Sequence, residues 1–253
     1  MKNIFTILCL AAGLFLAIAQ SVQAHMVWIN PDNPTPEPGE TIYLKLGFGH
    51  EFPNNQVVKR SQLASIHALD SRGNQITVQK IFPGFYKFTP KSKGIYLIQA
   101  QLKPGFVSAT PDGHKLGSKK EHENAKSCFR YHMNAATLIQ AKDTDDQAIQ
   151  KGNKKDLRLF PLQNPSEIEA GEEVSFLVKF KGKKAKNVNI LATFSGSDKH
   201  WVQEEYSNDK GIVTFRLDKD APWLFQAKHT TPYQKDKEVC DKHTYKSTVT
   251  IVP

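Results

Sequence analysis

The chain has 253 residues, with 34 Lys and Arg against 25 Asp and Glu, 39% hydrophobic residues, 15 Gly, 14 Pro and three Cys. This balance excludes a disordered tail, a collagen-like repeat, a disulfide-knotted miniprotein and a polytopic membrane protein, leaving a globular chain. The net charge of +9 is not joined to an aromatic platform among clustered Lys and Arg, so it makes no case for nucleic acid.

The N-terminus reads as an export signal. Lys2 gives a basic start, Ile4 to Ala19 is a nearly unbroken apolar run, and Val22-Gln23-Ala24 has the small-x-small pattern of a signal-peptidase site. The expected leader is 1–24, with cleavage between Ala24 and His25 and no stable membrane anchor left behind. Cys9 lies inside the apolar run and not at the cleavage point, which argues against a lipoprotein. Removing these 24 residues takes away one basic residue, Lys2, and leaves 229 residues with formal charge +8. The expected destination is the periplasm or the medium.

Beyond the leader, almost every readable segment has the period of a strand. Thr41 to Gly47, Ser65 to Leu69, Gln75 to Val78, Phe85 to Phe88 and Ile95 to Gln101 alternate, with Gly, Pro and Asn in the gaps. A second set begins at Leu157 and continues with Val174 to Phe180, Asn187 to Phe194, Gly211 to Leu217, Trp223 to His229 and Tyr245 to Val252. No segment offers a helix long enough for a βαβ crossover. The expected fold class is therefore all-β, with two immunoglobulin-like β-sandwich domains of antiparallel strands, 25–142 and 157–253, joined by a polar linker at 143–156. Asn208 to Gly211 reads as a hairpin turn. Lys103 to Arg130, rich in Gly, Ser, Lys and His, reads as a long loop with a short helix from Glu121 to Ser127.

Cys128 and Cys240 remain after export, and in an oxidising compartment a single long-range disulfide is the economical reading. A thiolate metal ligand is the alternative. If the bond forms, it brings His132 and His243 towards each other.

Cleavage after Ala24 would give His25 a free amine and an imidazole on one residue, a bidentate chelator that no internal His can match. Copper(II) and nickel(II) favour such nitrogen-rich tetragonal sites, whereas zinc prefers a tetrahedral one. The further ligands expected are His50, at a Gly-flanked strand end, His229 at the end of the Trp223 strand, and Asp241 as an oxygen ligand or as the acceptor that orients an imidazole. His243 and His132 are possible additions. His114 and His122 read as solvated, and His67 and His200 as structural or incidental.

Enzyme motifs are missing: there is no HExxH, GxSxG, Walker loop, CxxC or DxDxDG calcium loop. The expectation is binding without turnover.

The stretch Ala24 to Pro31 (AHMVWINP), the segment Gly49 to Pro53 (GHEFP), Leu159 to Pro165 (LFPLQNP), and then Gly171-Glu172, Gly182, Gly211, Trp223, His229 and Asp241 to Val252 resemble the DUF4198 proteins over most of the mature chain. The resemblance implies an all-β exported protein related to the periplasmic component of nickel and cobalt uptake systems. It places metal ligands on His25, His50, His229 and Asp241, and a membrane metal transporter as partner. Met26 departs from the pattern, in which an acidic residue commonly follows the N-terminal His, and the Lys103 to Arg130 segment is peculiar to this chain. Capture of Ni²⁺ or Co²⁺ is the leading expectation. A copper site of the histidine-brace type, in a carrier or a monooxygenase, is the second. A structural or interaction module of the envelope is the third.

Overall fold

The computed structural model describes residues 25–54, 56–144, 146–147, 149–150 and 156–253. The expected leader and residues 145, 148 and 151–155 of the expected linker lie outside the described residues.

The first half forms β1 (Met26–Pro31), β2 (Ile42–Gly49), β3 (Gln56–Val57), β4 (Leu63–Leu69), β5 (Gln75–Thr77) and β6 (Gln79–Phe82). It continues with β7 (Phe85–Phe88), β8 (Gly94–Leu102), β9 (Gly105–Thr110), β10 (Gly113–Leu116) and the 15-residue β11 (Ser127–Ala141). The second half forms β12 (Leu157–Pro161), β13 (Glu173–Phe180), β14 (Lys183–Lys184) and β15 (Asn189–Phe194). It closes with β16 (Gln203–Tyr206), β17 (Ile212–Arg216), β18 (Trp223–Pro232) and β19 (Lys242–Ile251). Short 3-10 turns at Lys119–Glu121 and Pro165–Glu167 are the helical segments among the described residues.

The two expected halves share one sheet. A ten-stranded sheet runs β16-β15-β18-β19-β11-β8-β4-β5, with the β9–β10 hairpin attached to the start of β11. β11 of the first half pairs parallel with β19 of the second, from Phe129 opposite Lys242 to Thr137 opposite Thr250. A five-stranded sheet built on β1-β2-β7-β6 covers one face, and a four-stranded sheet of β12, β13, β14 and β17 covers the other.

Each face has its own core. Tyr96, Ile98 and Ala100 of β8 and Ala135 and Ile139 of β11 meet Val27, Ile29, Leu44 and Leu46. The alternate residues Ile95, Leu97, Ala136 and Leu138, with Phe225, Val249 and Ile251, meet Leu157, Val174, Phe176 and Phe215. Being covered on both faces leaves β8 and the later part of β11 buried along nearly their whole length and not alternately exposed, with Gln99, Asn134, Thr137 and Gln140 buried among apolar residues.

The Lys103 to Arg130 segment differs from the expected loop. Gly105–Thr110 and Gly113–Leu116 form a hairpin, and the expected helix at Glu121 to Ser127 is replaced by the 3-10 turn at Lys119–Glu121 followed by the start of β11. The polar composition suits a hairpin that stands at the margin of the sheet, where the β10 side chains are exposed. Cys128 and Cys240 form the disulfide, with Cα atoms 4.9 Å apart, inside a small apolar cluster with Tyr233.

Candidate functional site

β1 pairs antiparallel with β2, Met26 opposite Gly49, Val27 opposite Phe48 and Trp28 opposite Gly47. Carried one step further, this register sets His25 against His50, and their ring centroids are 4.3 Å apart. Gly49 has φ +145°, a conformation L side chains rarely adopt, so a glycine is required where the chain turns out of β2 to present His50. The His25 ring also stacks on Phe48 at 4.9 Å with an interplanar angle of 5°.

Beneath the two imidazoles lies a compact apolar cluster of Met26, Trp28 and Leu224, with Phe52 and Trp201 against it. Trp28 fits only because residue 47 is glycine, since a Cβ there would overlap the indole. Leu224 and Trp201 come from the second half, so this floor joins the two halves.

Two residues at this place were not read from the sequence as functional. His200, in the turn after β15, hydrogen-bonds the His50 backbone with its ring, and its pKa is lowered by burial and by His50 and Lys246. Lys246 of β19 is 4% exposed, and its Nζ donates to the His25 carbonyl at 3.1 Å. Burial, with Lys228 nearby, pulls Lys246 down to about 7. Thr248, two residues on, donates to the Val27 carbonyl. β19 therefore holds β1 in place by side chains. A Lys within the Thr-rich strand Lys242–Ile251 was the legible signal, because a cation on a strand buried along most of its length needs a partner.

The His25 pKa is lowered by burial, then by His50 and Lys246. The shift favours the neutral imidazole, the form in which a histidine donates a lone pair to a metal. His50 Nδ1 is buried and has no hydrogen-bond partner among the described residues. Two facing imidazoles, one with an orphaned ring nitrogen, fit a nitrogen-coordinating ion. Among the described residues no group of three or more His, Cys, Asp or Glu side chains stands in a geometry that could hold a metal.

The other expected ligands lie elsewhere. His132 and His243 face each other across the β11–β19 pair, Nε2 to Nδ1 at 3.0 Å, with Tyr245 stacked on His132 at 4.5 Å. Burial, then His243 and Arg130, push His132 down to about 4. Burial, then Arg130, Lys181 and Lys235, lower His243. This pair sits beside the disulfide, as the chain closure implied. His229 is opposite Tyr245 in the sheet and rests its ring on Phe180 at 4.5 Å. It belongs to the aromatic ladder of that face. Asp241 is engaged structurally: Oδ1 pairs with Lys119 Nζ and Oδ2 accepts the Cys128 N–H at 2.7 Å. Although burial works against it, these contacts hold its carboxyl below the usual range. Lys246, in the middle of β19, bonds the His25 carbonyl, whereas Asp241 lies just before the start of that strand and His229 pairs with Tyr245 with its ring on Phe180. His114 lines a cavity with His25, whereas the His122 ring contacts the Leu116 carbonyl at 2.7 Å.

The fold and this site define an all-β protein in which the residue just before the first described strand sets its imidazole against that of His50. The family model described as a domain of unknown function, DUF4198, matches residues 22–231, and the chain belongs to that family. No curated protein matches it. Among solved structures, the biofilm-associated protein BSP domain shares 9% identity at a TM-score of 0.24, covering 90% of this chain and 30% of that one. The D0-D1 domain of intimin shares 10% identity at 0.22, covering 91% and 100%. The Clostridium thermocellum CbhA fibronectin(III)-like modules share 10% identity at 0.21, covering 88% and 94%. Overlaps this weak carry no argument about function.

Proposed function

We propose that the protein is an exported metal-binding protein that captures Ni²⁺ or Co²⁺ at His25 and His50 and presents it to a membrane transporter, without chemical turnover. The observation that carries this reading is the cross-strand pairing of His25 with His50. Cleavage after Ala24 would add the His25 amine to the two imidazoles, giving three nitrogen donors from two residues. The bound ion would supply charge and open coordination positions; the chain supplies the orientation. β19 fixes the His25 carbonyl through Lys246, the Gly49 turn aims His50, and burial favours the neutral form of the His25 imidazole.

An all-nitrogen donor set with only two imidazoles also suits copper in a histidine-brace arrangement, and the preferred ion separates the two readings. The Cys128–Cys240 disulfide agrees with an oxidising destination such as the periplasm.

The test is competitive titration of Ni²⁺, Co²⁺, Cu²⁺ and Zn²⁺ into protein confirmed by mass spectrometry to begin at His25. One-to-one binding is expected, sharply weakened by a single residue added before His25 and by His50→Ala. Equal affinity in the extended protein refutes the amine as a ligand, and no specific binding to the authentic N-terminus refutes the metal reading.

A further inference from the structure

His25 forms one wall of a cavity of about 310 Å³ that the metal reading does not use. At about 30 Å³ per water molecule this is room for roughly ten waters, or one small organic molecule. Phe48 and Phe129 make apolar walls, and Val107, on the hairpin of Gly105–Thr110 and Gly113–Leu116, faces the same space. Leu116, at the end of that hairpin, also lines the cavity yet is 75% exposed, an apolar residue left in solvent beside an apolar opening. Lys103 and Lys115 line the cavity and no carboxylate does. Lys115 carries a surface pair to Asp112 at 3.0 Å, whereas Lys103 makes no ion pair among the described residues.

An apolar chamber of this size with a few polar groups at its edge is the usual form of a small-molecule site. We infer that the cavity binds a small organic anion with an apolar body, a medium-chain or aromatic carboxylate, its body against Phe48, Val107 and Phe129 and its head towards Lys103. The apolar lining selects the body by removing it from water. The cationic edge selects the charge. The ligand would lie against the His25 imidazole, yet the inference does not rest on metal binding, and it is tested on metal-free protein.

The measurement is displacement of the fluorescent anion 1-anilinonaphthalene-8-sulfonate from full-length processed protein. Octanoate and octan-1-ol, equal in chain length and different in charge, are the competitors. Octanoate is expected to displace the probe at a concentration lower than octan-1-ol by about fivefold or more. Lys103→Glu should weaken octanoate by at least that factor and leave octan-1-ol unchanged, and added salt should narrow the gap. Val107→Trp, which fills the chamber, should abolish displaceable probe binding while circular dichroism remains that of the wild type. Absence of displaceable binding in the wild type overturns the site. Equal competition by the alcohol, together with no effect of Lys103→Glu, overturns the anion specificity. Lys103→Glu, a surface substitution, keeps the test decisive if Val107→Trp fails to fold. Because no metal is present, failure here leaves the metal reading standing, and loss of metal binding leaves this one standing.

Discussion

Replacing both Cys128 and Cys240 by Ala should cost a large share of the protein's stability and leave the His25–His50 pair in place. The two cysteines are 112 residues apart in sequence. In the chain-entropy description, closing a loop of that length removes about 16 cal/mol/K from the unfolded ensemble, or ~4.8 kcal/mol at 25 °C. Both side chains are almost fully buried with Tyr233 beside them, so loss of the sulfur atoms adds a packing cost. Against this, the parallel pairing of Phe129 to Thr137 with Lys242 to Thr250 still aligns the strands. A net loss of about 3–5 kcal/mol is expected. For a chain of this size that lowers Tm by roughly 6–20 °C. The assay is thermal and urea unfolding with and without reductant: reductant should move the wild type towards the variant and leave the variant unmoved. Metal affinity should be unchanged, since the bond sits beside His132 and His243. A variant as stable as the oxidised wild type refutes the reasoning, and two reactive thiols in the untreated wild type refute the bond itself.

Gly47→Ala would drive a methyl into the Trp28 indole, and overpacking of this kind costs about 1–3 kcal/mol. It should also displace β1 and weaken metal binding in titration; unchanged stability and affinity would show that the indole moves freely. His132 is held at about 4 in the folded chain against about 6.5 when unfolded. The unfolded chain thus binds the extra proton, and stability falls as pH drops from 6.5 towards 4, by up to about 3 kcal/mol for this group. His132→Gln should flatten that part of a denaturation profile, in which the other lowered histidines leave a smaller slope; an unchanged slope would refute the assignment. Lys246, held at about 7, should make stability rise with pH between about 7 and 10.5, because only the unfolded chain stays protonated there. Lys246→Met should remove that rise in urea unfolding at pH 7 and pH 10, and persistence of the rise would assign it to another group.

The strand periods were legible because each half exposes polar residues between turns, and both halves emerged in their order. What the alternation does not carry is which strands meet. The parallel β11–β19 pairing joins residues more than 100 positions apart, and nothing local to either strand specifies it. His50 was legible as a ligand candidate from its glycines and from the family pattern, and His25 from the leader. Their opposition depends on the β1–β2 register, which the Trp28–Gly47 fit fixes in three dimensions. His229 reads in one dimension as a strand end, but β18 runs on to Pro232 and pairs His229 with Tyr245, while Asp241 lies just before β19 and bonds Cys128. His200 was passed over because a His in a polar turn has no period to betray it. Its ring reaches the His50 backbone directly, beside Trp201, which rests on the Met26 cluster.

The dependence of β1 on β19 has a consequence in time. Lys246 and Thr248 are synthesised 221 residues after the carbonyls they bond, those of His25 and Val27. β1 therefore has no finished seat until β19 arrives, and pairing at such separation is slow. A chain emerging amino end first would leave His25 unfixed until Lys242–Ile251 has been made and closes the sheet. Formation of β19 and assembly of the site thus become one event, and a fragment ending before Lys242 would have the two imidazoles without the strand that sets them in position.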